Sequence, residues 1–173
     1  WQNHVAQGCY PDCDMLPLGR LGKGFGREWE TNFTKDEQRT MMTLWCVFGS
    51  PLMIGAELTK LDAWTIELLT RKEILKLVSN DYAGRQFEKN EAYAVWSCLN
   101  DKTGEKYLAL FNFQETDKVL ICCLNEVEQF AGQAGDVCGA TELWSGERLV
   151  FEGVLVDTVP AHGARLYLLD EIP

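Results

Sequence analysis

Histidine and proline are scarce in this 173-residue chain, with two and five residues respectively. No stretch of about 18 consecutive apolar residues occurs, so no helix is expected to span a bilayer. Basic residues are also in short supply, sixteen against twenty-six acidic ones, for a net charge of −10. Phosphate backbones are bound by Lys and Arg, which argues against a nucleic-acid partner, and anionic lipid surfaces need a polybasic patch that is missing. The same negative field repels anionic substrates and leaves neutral ligands, such as sugars, by elimination. Seven cysteines are too few and too irregular for a disulfide scaffold. Cys9/Cys13 and Cys122/Cys123 are the close pairs, and no paired CxxC or Cys/His ladder exists, so no metal site is expected and buried free thiols are. The chain opens on Trp1 without a basic or apolar leader. This reads as the interior of a longer polypeptide, and the compartment is not legible.

What is present is the composition of a folded protein: 46% apolar, 24% charged and 11% aromatic residues, rich in the side chains that a disordered chain lacks. The length allows one large domain or two small ones. Residues 1–84 hold nine basic and eleven acidic side chains, and residues 85–173 hold seven and fifteen. The hydrophobic period changes near the same point. A boundary is therefore expected near Gly84, where residues 79–84 supply turn chemistry.

The first half reads as strands alternating with helices. Thr34-Lys35-Asp36-Glu37 is a capping box opening a helix through Met41, Met42, Leu44, Trp45, Val47 and Phe48, with Gly49 as its stop. Pro51-Leu52-Met53-Ile54-Gly55 suits a short buried parallel strand. Asp62 caps a second helix, and a further box, Thr70-Arg71-Lys72-Glu73, is expected to restart it through Val78. This order predicts a parallel α/β arrangement. In the second half, residues 92–98, 106–113, 119–124, 149–156 and 165–169 are short β-type runs at intervals typical of an antiparallel sandwich.

Chemistry concentrates in Tyr10-Pro11-Asp12-Cys13-Asp14-Met15-Leu16-Pro17-Leu18-Gly19. If this segment is extended, Asp12 and Asp14 share a face with Cα atoms roughly 7 Å apart. Two carboxylates at a strand end, followed by a loop carrying Gly19, Gly22, Gly24 and Gly26, suit the C-terminal rim of an α/β barrel. Glycosidases use such pairs, about 5–5.5 Å apart for retention and 6.5–9.5 Å for inversion. From the residues alone the pair are candidate catalysts, or else one or both simply brace the loop.

The segment from Pro11 to Gly19 resembles the PDxDML…G segment of the melibiase-type α-galactosidases, glycoside hydrolase family 27. Phe33-Thr34-Lys35-Asp36-Glu37-Gln38 with Leu44-Trp45 is similar to the family's next helix, and Ser50-Pro51-Leu52-Met53-Ile54-Gly55 to its last barrel strand. Asn80-Asp81-Tyr82-Ala83-Gly84 resembles the segment leaving the barrel. Glu142-Leu143-Trp144-Ser145-Gly146-Glu147 and residues 159–166 resemble the C-terminal sandwich. The resemblance implies the last two βα units of a TIM-type (β/α)8 barrel in residues 1–84, then an antiparallel β-sandwich in residues 85–173. It further implies a parent enzyme that cleaves terminal α-galactosides with retention and without a cofactor. The aspartate nucleophile and the aspartate acid/base are expected upstream, leaving no catalytic residue in this chain. Asp14 and Met15 match positions lining the galactose pocket, and Asp12 matches loop support. Glu57 and Asn80 depart from the family pattern, where Asp and Gln are expected.

Trp29, in the glycine-rich loop, offers either a stacking face for a sugar or an anchor for the loop. His4 and His162 read as structural, and Trp45, Trp64, Trp96 and Trp144 as core. Asn32-Phe33-Thr34 matches a glycosylation sequon, but Thr34 is better explained as a helix cap. Two βα units cannot close a barrel of about 250 residues. The missing barrel portion or self-association is therefore the expected protein partner, a galactoside the expected substrate, and little turnover is expected from the chain alone. The resemblance favours an extracellular or periplasmic setting. A non-catalytic carbohydrate-binding or interaction module built on the sandwich is the competing reading. A third has α-N-acetylgalactosamine or β-arabinopyranose as the sugar.

Overall fold

The computed structural model describes residues 2–5, 8–78, 82–130 and 138–171. Trp1 and Ser79, Asn80 and Asp81, the core of the expected interdomain turn, lie outside the described residues. From Tyr82 onward that segment is strand.

The first helix, α1 (Lys35–Phe48), forms where its sequence signals place it. Thr34 Oγ1 accepts from the Glu37 N–H at 3.2 Å, and Glu37 Oε2 accepts from the Thr34 N–H at 2.7 Å, which closes the capping box. Such a cap contributes about 1 kcal/mol. Gly49 ends the helix at φ 78°, donating to the carbonyls of Cys46 and Trp45, a geometry that glycine adopts without strain. Asp62 caps α2 (Ala63–Thr70), Oδ1 accepting from Thr65 N at 2.7 Å. The second expected capping box is absent. Thr70 is the last residue of α2 and its hydroxyl donates to the Ile66 carbonyl at 2.7 Å. Arg71 then breaks the helix in an extended conformation before the short α3 (Lys72–Leu75). The hydroxyl had a local backbone acceptor four residues back, and that bond competes with capping.

In the first half, residues 20–21 (β1, Arg20–Leu21) and 29–30 (β2, Trp29–Glu30) form a small antiparallel hairpin. The expected parallel strand at residues 51–55 reduces to one parallel bridge between Leu16 and Ile54. Leu16 N–H donates to Met53 O at 2.7 Å, and Gly55 N–H to Leu16 O at 3.0 Å. The rest of the chain is antiparallel: β3 (Tyr82–Lys89), β4 (Tyr93–Asn100), β5 (Lys106–Asn112), β6 (Lys118–Cys123), β7 (Cys138–Glu142), β8 (Arg148–Phe151), β9 (Val154–Val159) and β10 (Ala164–Glu171). Six of these make one sheet in the order β3-β4-β5-β10-β7-β8, and β6 pairs with β9 separately. The run expected over residues 149–156 is two strands, β8 and β9, because Gly153 turns between them at φ 63°.

The six-stranded sheet is a middle layer. One face, with Ala94, Cys98, Tyr107, Ala109, Phe111 and Leu166, shares a core with Leu16, Leu18, Met42, Cys46, Val47 and Ile74. The other face, with Val95, Leu108, Leu110 and Tyr167, packs on Leu120, Cys122, Leu155 and Val159 of the β6–β9 pair and on Phe130. Gly84 is the point of closest approach to α1, since a β-carbon there would lie 1.9 Å from the Val47 carbonyl oxygen. None of the seven cysteines is in a disulfide, and burial pushes the thiols of Cys46, Cys98 and Cys122 up to about 12. They remain neutral packing groups at physiological pH. Among the described residues no helix is long and apolar enough to cross a membrane, and no cluster of three metal-ligating side chains occurs.

Candidate functional site

The segment bearing Asp12 and Asp14 is not an extended strand. Asp14 sits at φ 70°, in the left-handed region that Asp tolerates better than most residues. The turn is built from side chains. Asp12 Oδ1 accepts from the Asp14 N–H at 2.9 Å, and Asp14 Oδ1 accepts from the Met15 N–H at 2.6 Å. Two groups from further along the chain pin the backbone: the Trp45 indole N–H donates to the Asp14 carbonyl at 3.0 Å, and the Cys13 N–H donates to the Ser50 hydroxyl at 3.0 Å. Immediately after the turn, Leu16 and Leu18 are fully buried. They clamp the exposed Asp12-Cys13-Asp14-Met15 lip to the core.

The consequence for the carboxylates is asymmetric. With one oxygen, Asp12 braces the turn. Asp14 is exposed, has one oxygen engaged by its neighbour's N–H, and keeps the other available to accept from a ligand hydroxyl. The geometry that would have set both side chains on one face is lost at the positive φ. Trp45 and Ser50, which sequence reasoning took as core and as a strand start, hold this turn in place. The usable signal was polar atoms, an indole N–H and a hydroxyl, at the half-exposed end of α1.

Met15 is more than half exposed and lies against Gly55. Trp29 lies on Gly22, where a β-carbon would come within 2.0 Å of the indole, so one face anchors the hairpin loop while 38% of the side chain remains open. That loop is fixed by charge. Arg20 holds Glu28 at 3.3 Å and Glu30 at 3.0 Å, Lys60 holds Glu28 at 2.8 Å, and Lys23 holds Glu57 at 2.5 Å. The hydrogen bond from Lys23, followed by that from Thr59, draws the Glu57 carboxyl down to about 2. Glu57, the departure from the family pattern, therefore ties the loop to the turn after Gly55.

His4 borders a cleft of about 300 Å³ with Cys9, Tyr10, Pro11 and Cys13. A broader one of about 500 Å³ runs between Cys13, Leu44, Trp45, Phe48 and Trp96. Trp64, Trp96 and Trp144 are only partly buried, packing on the edge of the core. His162 pairs with Glu115 at 3.0 Å, and that hydrogen bond raises its pKa above the usual 6.5. Its carbonyl accepts from the Thr40 hydroxyl at 2.8 Å, so it fastens α1 to a turn of the β-region.

No family model matches the chain. Among curated proteins, it is 29% identical over 170 residues to alpha-galactosidase D of Emericella nidulans, covering 95% of this chain and 23% of that one. It is 27% identical over 162 residues to the alpha-galactosidase of Coffea arabica, covering 90% of this chain and 38% of that one. Among solved structures, a family 27 β-L-arabinopyranosidase from Geobacillus stearothermophilus matches with a TM-score of 0.87 at 38% identity, covering 99% of this chain and 39% of that one. The chain belongs to glycoside hydrolase family 27, matching its C-terminal part. It spans well under half the length of these relatives. A more distant similarity, to alpha-galactosidase I from Mortierella vinacea, has a TM-score of 0.76 at 20% identity and extends the shared fold. In this family 27 chain, the segment at residues 142–147 that resembled the sandwich is the β7–β8 turn, built around the buried carboxylate of Glu142.

Proposed function

We propose that this chain is the C-terminal segment of a retaining α-galactosidase, with residues 1–84 supplying the last two βα units of a (β/α)8 barrel and residues 85–173 the β-sandwich. Asp14 and Met15 line the galactose site, Asp12 supports the loop, and the open edge of Trp29 offers a stacking surface. The observation that carries this reading is the Asp14 turn: an exposed carboxylate held at positive φ by Asp12, Met15 and Trp45. Strain of this kind is retained where a side chain must be aimed. A neutral sugar is also the ligand class that a net charge of −10 does not repel.

The nucleophile is assigned to barrel strands preceding this segment, so the 173-residue chain should turn over an aryl α-galactoside negligibly. Robust turnover by purified material would contradict that assignment. The acid/base is assigned to those upstream strands as well. In the parent polypeptide, Asp14→Asn should therefore slow poor and activated aryl leaving groups alike, as a binding role requires. The 38% identity to a β-L-arabinopyranosidase makes the β-L-arabinopyranoside a rival substrate, since its ring is that of an α-D-galactoside without the hydroxymethyl group.

Titration of the chain with galactose, followed by amide chemical shifts, tests the site directly. Loss of binding in Asp14→Asn, with shifts clustered at residues 10–18, supports the proposal. Binding that survives the substitution and maps to residues 85–173 would favour a non-catalytic carbohydrate-binding module instead.

A further inference from the structure

Met15 follows Asp14 directly, and the residue is 57% exposed. The thioether nevertheless has a shelf to lie on. It runs along the backbone of Gly55, where a β-carbon would sit 3.3 Å from Met15 Cβ and 3.6 Å from Sδ. Beneath them Leu16 is fully buried and accepts the Gly55 N–H at 3.0 Å, which fixes the shelf relative to the lip. Gly55 is not among the glycines at positive φ, so its backbone does not demand glycine. A β-carbon there would instead press on Met15, slightly tighter than an ordinary contact.

We propose that Gly55 is a specificity-determining position: by carrying no side chain it lets Met15 lie flat beside Asp14, and so sets the width of the pyranose site. This inference rests on the sugar-binding role proposed for Asp14. A side chain at 55 lifts the thioether off its shelf into the open space around Asp14. Alanine forces the base of Met15 to give by a few tenths of an ångström, while the γ-methyls of valine take the place of the sulfur. The narrowed site penalises a galactose ring, with its exocyclic hydroxymethyl group, more than an L-arabinopyranose ring that lacks it. One carbon of fit in an apolar sugar site changes discrimination by about tenfold.

The test uses the full 173-residue chain labelled at its methionine methyl groups, titrated with D-galactose and with L-arabinose. In Gly55→Val the Met15 methyl resonance moves, and galactose loses about tenfold in affinity relative to arabinose; Gly55→Ala gives the same change, smaller. The double variant Gly55→Val/Met15→Ala lifts the penalty on galactose, because the displaced thioether is gone; a generally disturbed loop would not be rescued. A Met15 methyl that stays in place in Gly55→Val overturns the inference. So does a preference unchanged within twofold in a chain whose wild type binds sugar. If the wild type binds neither sugar, the sugar-binding role of Asp14 fails and takes this inference with it.

Discussion

Replacing Glu142 with alanine should destabilise the protein more than any surface substitution of comparable size. The side chain is 2% exposed at the end of β7. Its Oε2 accepts from the Ser145 N–H at 2.6 Å and its Oε1 from the Leu166 N–H at 3.2 Å, so one carboxylate closes the β7–β8 turn and satisfies a buried donor of β10. Arg165 adds a cation 3.9 Å away. Each buried N–H left without an acceptor costs about 1–3 kcal/mol. Ser145 lies in a turn that water can reach and belongs at the low end of that range; Leu166 is fully buried and belongs at the high end. Together they give about 3–4 kcal/mol, a large part of a typical 5–15 kcal/mol total. Glutamine keeps the shape and one carbonyl acceptor but turns an NH2 group toward the other donor, so about half that loss is expected. Urea unfolding followed by tryptophan fluorescence measures both, with Trp144 next to the site and its indole N–H donating to Thr43 at 2.9 Å. A loss below about 1 kcal/mol for Glu142→Ala would refute the reasoning. A glutamine variant as damaging as alanine would move the weight from the acceptors to the charge facing Arg165.

Three further outcomes follow from other contacts. Gly84→Ala places a β-carbon 1.9 Å from the Val47 carbonyl oxygen, and since both sides are backbone, a loss of about 3 kcal/mol is expected; thermal melting checks it, and an unchanged midpoint would mean that α1 slides freely on the sheet. Thr34→Ala removes half of the α1 capping box and should cost about 1 kcal/mol in the same assay, with Thr34→Ser nearly neutral. Glu57, drawn down to about 2 from an ordinary 4.5, is below its unfolded value when folded. It therefore stabilises the protein above about pH 4.5, and that contribution disappears as the pH falls from 4.5 toward 2. Acid unfolding curves of the wild type and Glu57→Gln should converge over that window, and curves that stay parallel would contradict the pairing with Lys23.

What could be read from the sequence was whatever depends on near neighbours. The capping box at Thr34 and Glu37, the stop at Gly49 and the Asp62 cap are all set within a few residues, and each is found in place. The box at Thr70 had the same letters and failed, because a threonine hydroxyl at a helix end has a second local acceptor, the Ile66 carbonyl. Strand β5 carries no alternation to read: it lies in a middle layer and buries side chains on both faces. The start of strand β3 reads as a turn in the sequence, because Gly84 closes a run of turn-forming residues, when it is small for the sake of α1. The Asp12/Asp14 geometry was least legible, since the turn is held by Trp45, 31 positions after Asp14, and by Ser50, 37 positions after Cys13.

Helix α1 joins the β-region to the candidate site. Within eight residues it offers the Thr40 hydroxyl to the His162 carbonyl, the Thr43 hydroxyl to the Trp144 indole, the Val47 carbonyl to the close-packed Gly84, and the Trp45 indole to the Asp14 carbonyl. The first three contacts reach the six-stranded sheet and its turns; the fourth reaches the lip that carries Asp12, Asp14 and Met15. At a rise of 1.5 Å per residue this stretch spans only about 11 Å, too short and too regular for its ends to move independently. Fixing α1 on the sheet therefore fixes the Asp14 carbonyl, and with it the carboxylate that the turn presents. On this geometry the sandwich is part of what positions the site. A sequence change at the sheet–helix seam, with no direct contact to the lip, should disturb Asp14 through Trp45 before it unfolds the chain.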